Sequence, residues 1–166
     1  KPLSLLKAAI PFTDEEITVS YNSNHLFVKH GTTQMSCRLI DARFPDYKVV
    51  IPTDNPYKLT VNKNDFQSAL RRVSVFSNKS TNQVALSISG SELQLAAQDV
   101  DFSFEGNERM KCQYNGEDLM IAFNARFLIE MLNAADSEEV NIELSTPTKA
   151  GIIKPTDLGE DEELLM

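Results

Sequence analysis

The sequence contains no tryptophan, and its two cysteines, Cys37 and Cys112, lie far apart with no CxxC pair and no histidine at metal-ligand spacing. That pattern excludes a disulfide-stapled framework and a zinc module, and it predicts two reduced thiols in a reducing cytoplasm. Basic residues are in the minority: 16 Lys and Arg against 24 Asp and Glu leave a formal net charge of −8. A chain that grips phosphates with its whole surface is excluded, so any contact with nucleic acid has to be local. No apolar run approaches the roughly 20 residues of a membrane span, and the opening Lys1 to Lys7 is too short and too interrupted for a signal peptide. HExxH, GxSxG and glycine-rich phosphate-loop motifs are all absent. The first residue is lysine, which fits a piece of a longer chain.

What is present is a globular composition, 42% hydrophobic over 166 residues, with room for one large or two small domains. Pro2 to Ile10 places Leu3, Leu6 and Ile10 at helical spacing, and Pro11 ends the segment. Three alternating segments follow, Ile17 to Tyr21, His25 to His30 and Thr33 to Ile40, separated by Asn22-Ser23-Asn24 and by Gly31. They predict an antiparallel meander. The pattern then returns: strand Tyr57 to Val61, a cap at Asn62 or Asn64, Asp65 in the first turn, and a helix with Phe66, Leu70 and Val73 on one face. Strands Gln83 to Ser89, Glu92 to Gln98 and a long Asp101 to Tyr114 come next, with Gly90 and Gly106-Asn107 as turn or bulge signals. A third round comprises strand Asp118 to Phe123, the cap Asn124, helix Ala125 to Ala135, and strands around Val140 to Leu144 and Ala150 to Lys154. The acidic end turns apolar at Leu164-Leu165-Met166, where the repeat calls for one more strand. Recurrence of helix plus antiparallel strands at about 60-residue intervals predicts an internally duplicated α+β fold.

Between the first two rounds lies Leu39 to Pro52, LIDARFPDYKVVIP. Pro45 and Pro52 bar a regular helix and push their predecessors toward extended backbone, while Phe44, Tyr47, Val49, Val50 and Ile51 bring more apolar surface than a floppy linker needs. The segment is expected to be a stiff, extended, packed connector.

The run RLIDARFPDYKVVIP, the later FNARFLIEMLNA and the order of elements around them resemble the beta subunit of bacterial DNA polymerase III, the sliding clamp family. The likeness covers nearly the whole chain. It implies a DNA-clamp fold, with residues 1–44 as the second half of the middle domain, 45–52 as the interdomain connector and 53–166 as the C-terminal domain lacking its last strand. In that family two protomers of three similar domains close head to tail around duplex DNA, helices inside and sheets outside. The implied function is that of a non-catalytic processivity factor, cytoplasmic, with no cofactor and no metal. Its partners would be double-stranded DNA, held without sequence preference, the polymerase III alpha subunit, the clamp loader and other proteins carrying a clamp-binding motif. The full-length chain would be a ring-shaped homodimer away from any membrane. A ring holds DNA by topology and needs only a modest positive lining, which reconciles DNA binding with an acidic exterior.

Residue by residue, the resemblance implies a DNA-facing set of Lys1 and Lys7 on the first helix and Arg71 and Arg72 on the second, with Arg126 and Asn133 on the third. A hydrophobic groove for peptides of the Gln-Leu-x-Leu-Phe type would use Pro45, Val50, Asn124 and Phe127, the last replacing the family's usual tyrosine. Val49 stands where some relatives carry arginine, and Thr148 and Ala150 are expected on a strand forming another wall. Further groove residues in the family come from the earlier middle domain and the last C-terminal strand. The dimer interface would take its apolar part from Val75 and Phe76 and its acidic part from Asp99, Asp101, Glu105 and Glu108. Read without the resemblance, the same residues are ordinary core, caps and solvated charges. Two other functions remain to be weighed. A nuclease would place metal on Asp41, Asp46, Asp99 and Asp101 with His25 or His30 as base, and a β-rich interaction module unrelated to DNA would share the fold signals alone.

Overall fold

A computed structural model describes residues 2–10 and 15–157. The chain divides after Asp46 into two compact units. The first holds helix α1 (Pro2–Ala9) and strands β1 (Thr18–Tyr21), β2 (His25–His30) and β3 (Thr33–Arg38), paired antiparallel in the order β1-β2-β3. Its turns explain the meander. Asn22 Oδ1 accepts the backbone N–H groups of Asn24 and His25, at 2.9 and 2.8 Å, and so closes the first hairpin. Gly31 takes φ +54° in the second, a conformation that costs other residues strain.

The second unit, residues 47–166, carries the duplication. Strand β4 (Tyr57–Asn62) leads into helix α2 (Lys63–Val73), then β5 (Gln83–Ser89), β6 (Glu92–Asp99), β7 (Phe104–Lys111) and the short β8 (Gln113–Tyr114). Strand β9 (Leu119–Asn124) leads into helix α3 (Ala125–Ala134), then β10 (Glu139–Leu144) and β11 (Ile152–Pro155). The repeats exchange their leading strands. β4 pairs with β10 in the sheet β11-β10-β4-β8, and β9 pairs with β5 in the sheet β7-β6-β5-β9, all antiparallel. Asn62 and Asn124 end the two leading strands and cap the two helices, accepting from the N–H of Asp65 and Arg126. Each cap satisfies a backbone donor that the first helical turn leaves without a partner. Phe66, Leu70 and Val73 of α2 and Leu128, Leu132 and Ala135 at the same places in the second repeat are all buried. They close one core with inward residues of the strands, Leu59, Leu86, Leu95, Ile121 and Ile142 among them.

Three expectations on local structure need correction. The connector is not extended throughout: Tyr47–Val50 form a 3-10 turn, and Ile40, Phe44, Val49 and Val50 keep much of their apolar surface exposed. Its prolines bracket this turn, because each restricts only its own nitrogen and the residue before it. The long strand Asp101 to Tyr114 is two strands in different sheets, separated by buried Cys112 and preceded by a turn in which Ser103 has φ +54°. Gly106 is no turn residue. It faces Ala97 in mid-strand, and a Cβ there would collide with the ring of Phe76. The chain end at residues 164–166, where the repeat calls for a further strand to begin, lies outside the described residues.

The two thiols have different surroundings. Cys37 is half-buried, whereas Cys112 is buried and desolvation pushes its thiol above the ordinary range. In the native chain a thiol-specific disulfide reagent is therefore expected to titrate Cys37 first and Cys112 only on addition of denaturant. Two thiols reacting at one rate in native buffer would contradict this burial.

Candidate functional site

The helices form the first surface. Lys63 Nζ donates to the Ala135 carbonyl at 2.9 Å, and Gln67 Nε2 donates to Asn133 Oδ1 at 2.9 Å and the Ile129 carbonyl at 3.4 Å. The start of α2 thus lies beside the end of α3, and the pair is antiparallel. The last turn of α2, with Arg71 and Arg72, is accordingly set beside the first turn of α3, with Arg126. Cations in a last turn also complement the helix dipole. All three arginines are exposed.

They are not equivalent. Arg72 forms a two-pronged pair with Glu108 of β7, Nε to Oε2 at 3.0 Å and Nη2 to Oε1 alongside. The hydrogen bonds from Arg72 hold the Glu108 carboxyl below the usual carboxylate range, and Glu108 raises the guanidinium in turn. The sequence assigned these two residues to different surfaces, whereas the structure joins them. Arg71 makes no ion pair among the described residues. Lys7 is exposed in the last turn of α1, in the other unit, and Lys1 lies outside the described residues. Asn133, expected on the DNA side, is engaged by Gln67.

A second surface flanks β7, an edge strand of its sheet. Val75 and Phe76 lie in a 3-10 turn that continues α2, Val75 outermost, and Phe102 stacks on Phe104 with ring centroids 6.1 Å apart. Asp101 and Glu105 are exposed. Asp99 departs from expectation: it is only 4% exposed, and its Oδ1 accepts the Asp101 N–H at 3.1 Å. A carboxylate enclosed in its own turn presents little surface to a partner.

The third set is apolar. Val50 is 76% exposed and Val49 79%, both in the turn Tyr47–Val50. Phe127 is 59% exposed in the first turn of α3, next to the cap Asn124, whose Nδ2 donates to the Thr81 carbonyl at 3.1 Å. Asn124 therefore ties α3 to the loop before β5 while keeping one amide N–H available. Pro45 is exposed in the first unit. Thr148 and Ala150 are not on a strand. They belong to the connection between β10 and β11, which begins pairing only at Ile152. That connection is pinned by a residue the sequence did not single out. Asn55 Nδ2 donates to the carbonyls of Ala150, at 3.0 Å, and Glu143, at 3.2 Å. An asparagine ahead of Pro56 reads as a turn signal, and nothing local announces a bond to residues so distant in sequence.

The catalytic alternatives do not assemble. Among the described residues no three His, Cys, Asp or Glu side chains converge as metal ligands. His30 is buried with Nε2 at 3.1 Å from Glu15 Oε2, and His25 stacks on Phe27. No described helix is long and apolar enough to cross a membrane.

Comparison with known proteins places this geometry. Residues 48–166 match the family described as DNA polymerase III beta subunit, C-terminal domain. Over 167 aligned positions the chain is 28% identical to a beta sliding clamp of Staphylococcus epidermidis, an alignment covering 100% of this chain and 44% of that protein. The crystal structure of a sliding clamp of Bartonella birtlesii bound to griselimycin superposes with a TM-score of 0.83 at 31% identity, over 95% of this chain and 41% of that one. The DNA polymerase III subunit beta of Pseudomonas aeruginosa gives 0.87 at 24% identity over 95% and 43%, a likeness of fold. The chain thus spans less than half the length of these relatives.

Proposed function

Because the chain belongs to the DNA polymerase III beta subunit family, matching that family's C-terminal domain, we propose that it acts as part of a sliding clamp. The clamp encircles duplex DNA and tethers the replicative polymerase, the clamp loader and other motif-bearing proteins through an apolar peptide site. The observation that carries this reading is the antiparallel pair α2 and α3, which gathers Arg71, Arg72 and Arg126 at one end of a chain whose net charge is −8. A local cationic surface on helices backed by antiparallel sheets fits a lining that meets phosphates without reading bases. The role is non-catalytic, since its work is tethering. Val50 and Phe127 supply exposed apolar surface for a docked peptide, and Asn124 has an amide N–H for its backbone. Arg71 carries more of the phosphate contact than Arg72, whose charge Glu108 already balances.

Electrophoretic or anisotropy titration with a short duplex tests the cationic surface. Weak binding without sequence preference is expected, and Arg71→Glu should lower the affinity and flatten the salt dependence by about one unit of log–log slope. Arg72→Glu should do less. Strong preference for one duplex sequence, or equal effects of the two substitutions, would contradict the assignment.

A further inference from the structure

A trough of about 720 Å³ crosses the face of the sheet β7-β6-β5-β9 that is turned away from the helices. Alternation along the strands creates it. Val84, Leu86, Leu93 and Leu95 point into the core, so their neighbours Gln83, Ala85, Gln94 and Ala96 stand on the opposite face. Ala85 pairs with Ala96 on one side and Ala122 on the other, and Ala96 pairs with Asn107, which lays three methyl groups across the strands as a shallow floor. Carboxamides rise around that floor: Gln83 and Gln98 on one flank, Gln94 on the other and Asn107 at the end. Among the described residues none of these four side-chain amides has a hydrogen-bond partner. The rim at Asn78 and Thr81 is fixed. Asn78 Oδ1 accepts the Ser80 N–H at 2.9 Å, and the Asn82 N–H donates to the Asn78 carbonyl at 2.8 Å.

The walls select the occupant. No lysine or arginine lines the trough, and Asp101 and Glu105 close its far end, so phosphates are disfavoured. No aromatic ring lines it either, so bases have nothing to stack on. An uncharged carboxamide offers two donors and an acceptor, the complement of a peptide group. The trough also adjoins the apolar peptide site: Gln83 lies opposite Asn124 in the pairing of β5 with β9, and the Thr81 carbonyl accepts from Asn124 Nδ2. From β9 to β7 the sheet spans roughly 14 Å, the length of about four extended residues. We propose that the trough holds the segment flanking the apolar motif of a docked partner, bound through its backbone by Gln83, Gln94, Gln98 and Asn107 over the alanine floor. This subsite presupposes the peptide-binding reading of Val50, Asn124 and Phe127 and lengthens that site. Recognition through backbone leaves the sequence of the flank open, and small side chains suit the shallow floor. A strand added along β7 would engage backbone groups in the plane of the sheet, so this face above β5 and β6 stays uncovered.

Fluorescence polarisation compares three labelled peptides on the wild-type chain: the Gln-Leu-x-Leu-Phe motif alone, the motif with a run of serines before it, and the motif with the same run after it. One of the two extended peptides should bind at least about tenfold tighter than the motif alone. On Ala96→Tyr, whose rigid ring fills the floor at a position where a strand accepts aromatics, that peptide should lose its advantage over the motif. Gln83→Ala combined with Gln94→Ala should reduce the advantage, and because both glutamines lie outside the core this pair reports even if Ala96→Tyr fails to fold. Equal affinity of all three peptides overturns the subsite and leaves the peptide site standing. An advantage that survives the substitutions overturns it as well. If the motif alone fails to bind, the peptide-binding reading falls and the subsite falls with it.

Discussion

Phe66→Ala should destabilise the second unit by about 3–5 kcal/mol, the usual cost of truncating a fully buried aromatic ring. Among the described residues the ring is the largest side chain excluded completely from solvent. It projects from the first turn of α2, whose start Asn62 caps, into the one core that inward residues of both sheets share. Leu128 stands at the same place in the second repeat, so Leu128→Ala should cost about 2–5 kcal/mol and abolish the same cooperative transition. The exchanged leading strands make this prediction specific. Since β4 pairs with β10 and β9 with β5, neither repeat can unfold without removing a neighbour from the other's sheet. Urea unfolding followed by circular dichroism reads both variants. A loss below about 1 kcal/mol for Phe66→Ala would mean that the ring is not part of a close-packed core.

Val50→Asp should do the opposite: leave stability within about 0.5 kcal/mol and weaken peptide binding. With 76% of the side chain exposed, the new carboxylate stays hydrated in the unliganded chain. A peptide whose leucine and phenylalanine cover the position would have to strip that water without replacing its hydrogen bonds. The penalty for burying an unpaired polar group, about 1–3 kcal/mol, corresponds to roughly a 5- to 150-fold loss of affinity. Phe127→Ala should weaken binding for a different reason, lost apolar contact. Thr148→Ala, in the connection held by Asn55, should matter least. Equal affinity of wild type and Val50→Asp would remove Val50 from the site.

Much of this architecture is legible in the sequence because periodicity and capping act locally. Asn62 followed by Asp65, and Asn124 ahead of Ala125, announce the two helix starts, and the structure has caps at both. Gly31 and Gly90 sit in turns at positive φ as their positions between alternating segments suggest. Where the reading failed, the cause was tertiary. Gly106 looks like a turn residue until Phe76 is seen lying across it. The long alternation through Cys112 hides a change of sheet, since period two is the same on either side of the break. Tyr47–Val50 turn where two prolines predict extended chain. Charge is least legible of all. Arg72 and Glu108 stand on separate elements until the helix end is laid over β7, and Asp99 reads as solvated although it is buried. Each of these depends on what packs against the residue, which no single segment encodes.

The clamp reading meets its most direct test in a fluorescence-polarisation titration of the wild-type chain with a labelled Gln-Leu-x-Leu-Phe peptide, beside a peptide whose leucines and phenylalanine are alanine. The account predicts saturable binding of the first, none of the second, and competition by unlabelled motif peptide. Binding that never saturates, or that treats both peptides alike, would contradict it.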